Sequence, residues 1–145
     1  MRKGWIVHVV PGAHFDLGWA AAPAECLAYS DEIIRQAVEW LERDAKYTFV
    51  VEYTLFMKHF LESYPNYLGR VKRLAKEGRL EACPTMAGAI EQIFDGEMLI
   101  RELAEGKNWI RRVLGVNPLT FRLSDTRPTM LPLLKKHVLK APTSL

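Results

Sequence analysis

A histidine and an aspartate two residues apart are the first side chains in this sequence that suggest chemistry. His14 and Asp16 lie in a stretch that follows an apolar run, breaks at Pro11 and ends at Trp19. In an extended segment, residues i and i+2 project to the same side, so the imidazole and the carboxylate can reach a common point. Because zinc accepts both imidazole nitrogen and carboxylate oxygen, the pair predicts part of a site for a zinc-like divalent ion.

Two ligands are too few for a catalytic zinc, which takes at least three protein groups and keeps one position open. Asp125, after a later predicted strand, is the third ligand that we predict. In the alternative interpretation, His14 hydrogen-bonds the loop backbone and Asp16 caps a turn. Trp19 is predicted to bind substrate, and its alternative role is to anchor the loop by packing.

The remaining histidines and the two cysteines favour structural roles. His8 alternates within an apolar run and is predicted to pack, whereas His59 and His137 lie on predicted helices as surface or edge residues. Cys26 and Cys83 lack CxxC spacing, which suits a reducing compartment and excludes a disulfide framework. Cys83, at a predicted strand end, is expected to be a buried thiol.

Composition predicts one globular domain in the cytoplasm. The 145 residues are 49% hydrophobic, which is enough for a core. The 20 basic and 17 acidic residues are interspersed and give a net charge of +3, so no nucleic-acid partner is expected. No apolar stretch has the length of a signal peptide or a membrane span, so no membrane association is expected either.

Strand-type and helix-type patterns alternate along the chain. Apolar runs predict four strands, at Trp5–Val10, Tyr47–Tyr53, Leu80–Cys83 and Leu119–Leu123. The helical patterns run from an N-cap at Ser30, from Leu55 with a break at Pro65 to Gly78, from Gly96 to Leu114 with Gly115 as terminator, and from Met130 through Val138.

This order predicts an α/β fold in which a parallel sheet of about four strands alternates with helices. In such sheets the chemistry lies beyond the carboxyl ends of the strands. The loops at that edge carry the acidic and imidazole side chains His14, Asp16, Glu52, Glu91 and Asp125.

The chain contains VHVVPGAHFDLGW at 7–19 and three later stretches, at 47–82, 96–118 and 121–136. In order and spacing, these four stretches resemble glycoside hydrolase family 38, the retaining α-mannosidases. VHVVPGAHFDLGW (7–19) is similar to the family's opening Pro-His-Ser-His-x-Asp-x-x-Trp motif. Residues 47–82 are similar to the family's second strand, the following helix and the Glu-Gly-Arg turn into the third strand. The stretches 96–118 and 121–136 are similar to its Gly-Glu-Ser-x-x-Arg segment and its Trp-x-x-Asp-x-Phe-Gly stretch.

The resemblance implies a zinc-dependent retaining glycosidase that hydrolyses terminal α-mannosyl linkages, with an α-mannoside as its carbohydrate substrate. His14 and Asp16 match the family's first His and Asp ligands, and Asp125 matches the Asp that is both ligand and nucleophile. In the family, zinc bound by two His and two Asp holds vicinal hydroxyls of the mannosyl unit. A separate carboxylic acid protonates the leaving oxygen.

The sequence departs from the family pattern at several positions. Gly12 stands at the motif's first His, Met86 and Ile90 stand at the spacings of a Trp and an Asp, and Asp125 is not followed by Phe-Gly. The resemblance further implies that residues 1–145 are the N-terminal portion of a distorted (β/α) barrel. The fourth ligand and the general acid are then expected from beyond this portion.

The residues are also compatible with two other functions. One is a metal-dependent carbohydrate deacetylase on a related barrel, which would require a further histidine ligand. The other is a truncated half-domain that binds a sugar or a partner without turnover. Because four β-α units cannot close an ordinary barrel, a sheet edge is expected to be covered by a second copy or by a missing partner segment.

Overall fold

Three short parallel strands form the sheet of this α/β protein. The computed structural model describes residues 4–19, 21–88 and 94–121. The strands are β1 (Gly12–Ala13), β2 (Phe49–Val51) and β3 (Leu80–Ala82), in the spatial order β1-β2-β3. Both pairings are parallel, which confirms the predicted fold class, and the open sheet is consistent with part of a barrel.

Helices connect the strands and cover the sheet. The helix α1 (Pro23–Arg43) connects β1 to β2, and α2 (Thr54–Ser63) follows β2. A short 3-10 turn (Pro65–Tyr67) then leads into α3 (Leu68–Lys76), which precedes β3. The helix α4 (Gly96–Leu114) follows the loop after β3. These connections bring each strand back parallel to its neighbour, as the alternating sequence pattern requires.

The first strand lies later in the chain than the apolar run predicts. Trp5–Val10 forms no strand and is exposed, with Trp5 at 96%, so this prediction was wrong. Pairing begins where the Val50 amide donates to the Pro11 carbonyl at 3.0 Å. Because β2 is only three residues long, it offers no backbone partner to the residues before Pro11.

The first helix begins seven residues before the predicted N-cap at Ser30. Pro23 occupies its first turn, where the missing N–H of proline costs nothing. The Glu25 carboxylate accepts a hydrogen bond from the Ala22 amide at 3.3 Å and so satisfies a donor at the helix start. Ser30 is therefore an interior, buried residue of α1, and its prediction as an N-cap was wrong.

Other helix limits agree with the sequence predictions. The helical pattern breaks at Pro65, and Gly78 follows α3 with a φ of 70°. The helix α4 spans the predicted residues and ends at Gly115, whose φ of 74° is in the left-handed region that glycine tolerates. At its start, the Asp95 carboxylate accepts from the Met98 amide at 2.8 Å.

The predicted fourth strand is only partly described. The amides of Leu119 and Thr120 both donate to Oε1 of Glu81 on β3, at 3.2 and 2.9 Å. These two residues therefore run beside β3, although no ladder pairing is formed there within the described residues. Residues 122 and 123 of this strand and the helix predicted from Met130 through Val138 lie outside the described residues.

The core lies between the sheet and the helices. The predicted stripe of α1 is confirmed, because Ile34, Ala37, Val38 and Leu41 are buried and Ile33 packs against them. It meets the apolar face of α2, where Phe60 is fully buried. Within the described ranges, no helix is long and apolar enough to cross a bilayer.

Candidate functional site

The carboxyl edge of the sheet brings His14 and Glu52 together. In the parallel register, Ala13 at the end of β1 pairs with Val51 at the end of β2. The next residue on each strand is therefore an imidazole on one side and a carboxylate on the other. This register is the reason that two residues 38 positions apart in sequence share a hydrogen bond.

The His14 imidazole has a carboxylate at each of its ring nitrogens. Nδ1 lies 2.8 Å from Oε2 and 3.0 Å from Oε1 of Glu52, whose side chain is fully buried. Nε2 lies 3.4 Å from Oδ1 of Asp16, which is about half exposed. The histidine thus connects a buried acid inside the sheet with an accessible acid at its edge.

The donor atoms of this arrangement are of the kinds that bind cations. A carboxylate accepts hydrogen bonds, so a neutral imidazole that donates from Nδ1 to Glu52 turns a lone pair at Nε2 towards the Asp16 oxygen. Two electron-rich atoms that face each other are stabilised by a proton or a metal ion between them. Ligands at about 2.0–2.1 Å from a tetrahedral zinc ion lie about 3.3 Å apart, so the observed 3.4 Å fits two ligands of one ion.

The loop after β3 is fixed beside this edge by α2. The Thr54 hydroxyl donates to the Cys83 carbonyl at 2.8 Å, and the Thr54 amide donates to the Thr85 carbonyl at 2.8 Å. On the other side, α4 approaches so closely that a Cβ on Gly106 would lie 1.9 Å from the Pro84 carbonyl oxygen. Residues 83–85 at the start of this loop are therefore held between α2 and α4.

The structure describes some of the site residues predicted from the sequence but not others. His14 and Asp16 lie together, as their spacing predicts. Asp125, the predicted third ligand and nucleophile, and Glu91 lie outside the described residues. Within the described part of the chain, no group of three or more His, Cys, Asp or Glu side chains is placed to hold a metal ion. The zinc prediction thus depends on the His14–Asp16 pair and on groups not described.

The structure shows the surroundings of Trp19 and His14, for which the sequence left alternatives open. The Trp19 indole is 87% exposed, so it is not an anchor packed against the described residues. It is accessible from solvent, as a substrate-binding role requires. The His14 ring bonds to the carboxylate of Glu52, a contact that the alternative of a loop-backbone bond does not include.

Predictions for the other histidines and for the cysteines were partly right and partly wrong. His8 is exposed, because the strand that was expected to bury it is not formed, so that prediction was wrong. His59 is half-buried and bonds through Nδ1 to the buried Asp31 at 3.0 Å, a pair that sequence reasoning missed. Cys83 is buried as predicted, and Cys26 is buried too.

The comparisons with known proteins agree with this fold and show the family of the chain. The model of the family described as "Glycosyl hydrolases family 38 N-terminal domain" matches residues 4–127. The chain belongs to glycosyl hydrolase family 38. The matched range includes the β1 edge with His14 and Asp16, and it also includes Asp125. The resemblance seen in the sequence motifs is therefore confirmed at the level of the family.

Two similar proteins carry the name alpha-mannosidase 2. The protein from Spodoptera frugiperda is 33% identical over 119 residues, which are 79% of this chain and 10% of that protein. The protein from Arabidopsis thaliana is 27% identical over 118 residues, which are 77% of this chain and 10% of that protein. This chain therefore spans about a tenth of the length of these relatives.

Solved structures share the fold at low sequence identity. An alpha-mannosidase from Enterococcus faecalis V583 has a TM-score of 0.78 at 18% identity, covering 88% of this chain and 15% of that chain. A 4-alpha-glucanotransferase from Thermococcus litoralis has a TM-score of 0.66 at 18% identity, covering 88% of this chain and 20% of the other. The α/β architecture of this chain is thus shared with part of each of these longer chains.

Proposed function

We propose that this chain supplies the metal-binding edge of a retaining glycoside hydrolase of the α-mannosidase type. The observation that carries the proposal is the His14–Asp16 pair, whose Nε2 and Oδ1 lie 3.4 Å apart at the carboxyl end of a parallel sheet. Family 38 membership supports a carbohydrate substrate, and the relatives named alpha-mannosidase support an α-mannoside.

His14 and Asp16 would hold a zinc-like divalent ion together with Asp125. When bound, the ion would polarise the vicinal hydroxyls of the mannosyl unit and stabilise charge that develops in the transition state. Asp16 would orient its carboxylate from the loop, and Trp19 would contact the sugar from the exposed face of that loop. Asp16 and Trp19 are both accessible from solvent, as these two roles require.

Asp125 is the proposed nucleophile. Its carboxylate oxygen would form a bond to the anomeric carbon while the bond from that carbon to the leaving oxygen breaks. A carboxylic acid from another segment would give its proton to the leaving oxygen. The same group would later take a proton from the water that attacks the anomeric carbon, and the bond between that carbon and Asp125 would break. The products are a free mannose and the shortened saccharide or alcohol.

The uncovered edge of the sheet supports a further part of the proposal. Within the described residues, β1 pairs only with β2, and the residues before it are exposed and apolar. We propose that a second copy of this chain or a partner segment covers this edge. Sedimentation of the purified chain would then show association, whereas a well-folded monomer in dilute solution would contradict this part.

Two buried cysteines without CxxC spacing, Cys26 and Cys83, support a reducing compartment, and we place the working protein in the cytoplasm.

Zinc titration tests the metal-binding part of the proposal. We expect the purified chain to bind one zinc ion, and the His14→Ala variant to bind it at least about 100-fold more weakly. His59→Ala is the matched control, because His59 also bonds to a carboxylate but lies between helices. Equal zinc affinity in the wild type and in His14→Ala would refute the site.

Hydrolysis of a chromogenic α-mannoside tests turnover separately. Release of the chromophore by the metal-loaded chain, lost in Asp125→Asn, would support the nucleophile assignment. Zinc binding and sugar binding without release would instead favour a half-domain that binds its ligand and requires the remaining segments for catalysis.

A further inference from the structure

Glu52 is a buried acid whose cost of burial requires an explanation. Its side chain is fully buried at the end of β2, where a carboxylate is expensive unless it is hydrogen-bonded. Both of its oxygens lie within hydrogen-bond distance of Nδ1 of His14, at 2.8 and 3.0 Å. The interaction with His14 thus offsets part of the cost of placing an acid inside the sheet.

This contact determines which nitrogen of His14 points outwards. Both neighbouring carboxylates accept and do not donate, but Glu52 lies 2.8 and 3.0 Å from Nδ1 whereas Asp16 lies 3.4 Å from Nε2. The shorter contacts favour the proton of a neutral His14 on Nδ1, which leaves the lone pair on Nε2. Nε2 is the nitrogen that faces Asp16. The buried acid therefore sets both the tautomer and the orientation of the imidazole in the form that a metal ion requires.

We propose that Glu52 is a positioning residue that holds His14 with its Nε2 lone pair directed towards Asp16 and a divalent ion. The proposal rests on the zinc site proposed above and adds to it a residue that touches neither metal nor substrate. In other proteins, mutation of an acid that holds a ligating histidine in this way typically lowers metal affinity by about 10–100-fold.

The His59–Asp31 pair provides a matched control within the same molecule. It has the same chemistry, a half-buried imidazole whose Nδ1 lies 3.0 Å from the oxygen of a buried carboxylate. Among the described residues, Asp31 is the sole acidic side chain within 4 Å of the His59 ring nitrogens. Loss of the Asp31 carboxylate should therefore leave zinc binding unchanged.

The first experiment determines the tautomer of His14 in the metal-free wild-type chain. Two-bond 1H–15N spectra, recorded at a pH where the ring is neutral, should place the proton on Nδ1. In Glu52→Gln the amide can turn either its oxygen or its nitrogen to the ring, so the proton should redistribute between the two nitrogens. A proton on Nε2 in the wild type would overturn the proposal without any variant.

The second experiment measures zinc affinity by competition with a chromophoric chelator. We expect Glu52→Gln to bind zinc about 10–100-fold more weakly than the wild type, and Asp31→Asn to bind it within about twofold. Circular dichroism confirms that each variant is folded. If Glu52→Gln is folded and binds zinc as tightly as the wild type, the proposal is wrong.

The two experiments separate this inference from the function on which it rests. A wild-type chain with the proton on Nδ1 but without zinc affinity would support the role of Glu52 and refute the proposed metal site. A wild-type chain that binds zinc with the proton on Nε2 would support the metal site and refute the role of Glu52.

Discussion

Two histidine–carboxylate pairs in this protein have nearly the same internal geometry but different surroundings. His14 bonds to Glu52 at 2.8 Å and His59 bonds to Asp31 at 3.0 Å, both through Nδ1. Both imidazoles are about one-third exposed, and both acids are buried. The difference lies at the other ring nitrogen, since only the His14 ring has a second acid beside it among the described residues, namely Asp16.

The comparison shows that the position of a histidine–carboxylate pair in the fold determines whether it can reach a ligand. Asp31 lies on α1 and His59 on α2, so their bond joins two packed helices and stabilises that contact. His14 and Glu52 follow adjacent parallel strands at the edge where α/β proteins bind ligands. A pair between helices is structural, and a pair at the sheet edge can present its outer nitrogen to a ligand.

The largest expected effect is on zinc affinity when the second acid is neutralised. Asp16→Asn removes the negative charge beside Nε2, and we expect zinc to bind at least about 100-fold more weakly. Since Asp16 is about half exposed, the free energy of unfolding should change little. Calorimetric zinc titration and urea unfolding measure the two quantities. A large loss of stability with unchanged zinc affinity would show that Asp16 has a structural role and no role in binding the metal.

Gly106→Ala should damage the sheet edge through its supporting loop. A Cβ at this position would lie 1.9 Å from the Pro84 carbonyl oxygen, so the loop after β3 must shift. We expect a loss of about 1–3 kcal/mol in the free energy of unfolding, together with weaker zinc binding. Urea unfolding and zinc titration measure both.

Gly69→Ala is the control for this helix substitution, because a Cβ there has no atom within 4 Å. It should be neutral or stabilise by up to about 1 kcal/mol, since alanine favours helix. Equal stability of the two variants would show that α4 does not constrain the loop.

Asp31→Ala tests the structural role of the helix pair. It leaves His59 Nδ1 without its carboxylate, and we expect a loss of about 1–2 kcal/mol in the free energy of unfolding. Zinc affinity should stay within about twofold of the wild type. Thermal unfolding with a parallel zinc titration checks both. A fall in zinc affinity in a folded variant would contradict the division between the two pairs.

The smallest expected effect concerns a carboxylate paired with arginine instead of histidine. Hydrogen bonds from Arg70 lower the pKa of Glu42 below its ordinary value of 4.5, and Arg73 contributes as well. Because the folded-state pKa is lowered, this stabilisation is present above pH 4.5 and is lost as the pH falls through the lowered pKa. The pair is partly exposed, so it should contribute less than about 1 kcal/mol.

Comparison of Glu42→Gln with the wild type measures this contribution. The stability difference between the two proteins should be largest near neutral pH and should shrink in acid. Urea unfolding across the acidic range would detect it. A difference that does not change with pH would show that the arginine pairing adds nothing to stability.

Local sequence signals predicted the elements that local chemistry controls. The helix α4 begins at an Asp95 cap and ends at Gly115, and both residues favour these positions whatever their surroundings. The break at Pro65 follows from the missing N–H of proline. Non-local pairing was harder to predict, because the apolar run Trp5–Val10 forms a strand only where another strand lies beside it, and β2 is too short to provide one.

In the candidate site, too, one part could be predicted from local sequence and another part could not. The spacing of His14 and Asp16 by itself determined that an imidazole and a carboxylate share one side of a loop, because side chains alternate along extended backbone. Only the tertiary structure decided that the Glu52 carboxylate bonds to Nδ1, the inner nitrogen of that imidazole. That contact comes from the parallel register of β1 and β2, which depends on packing between residues far apart in sequence and leaves no trace in local spacing.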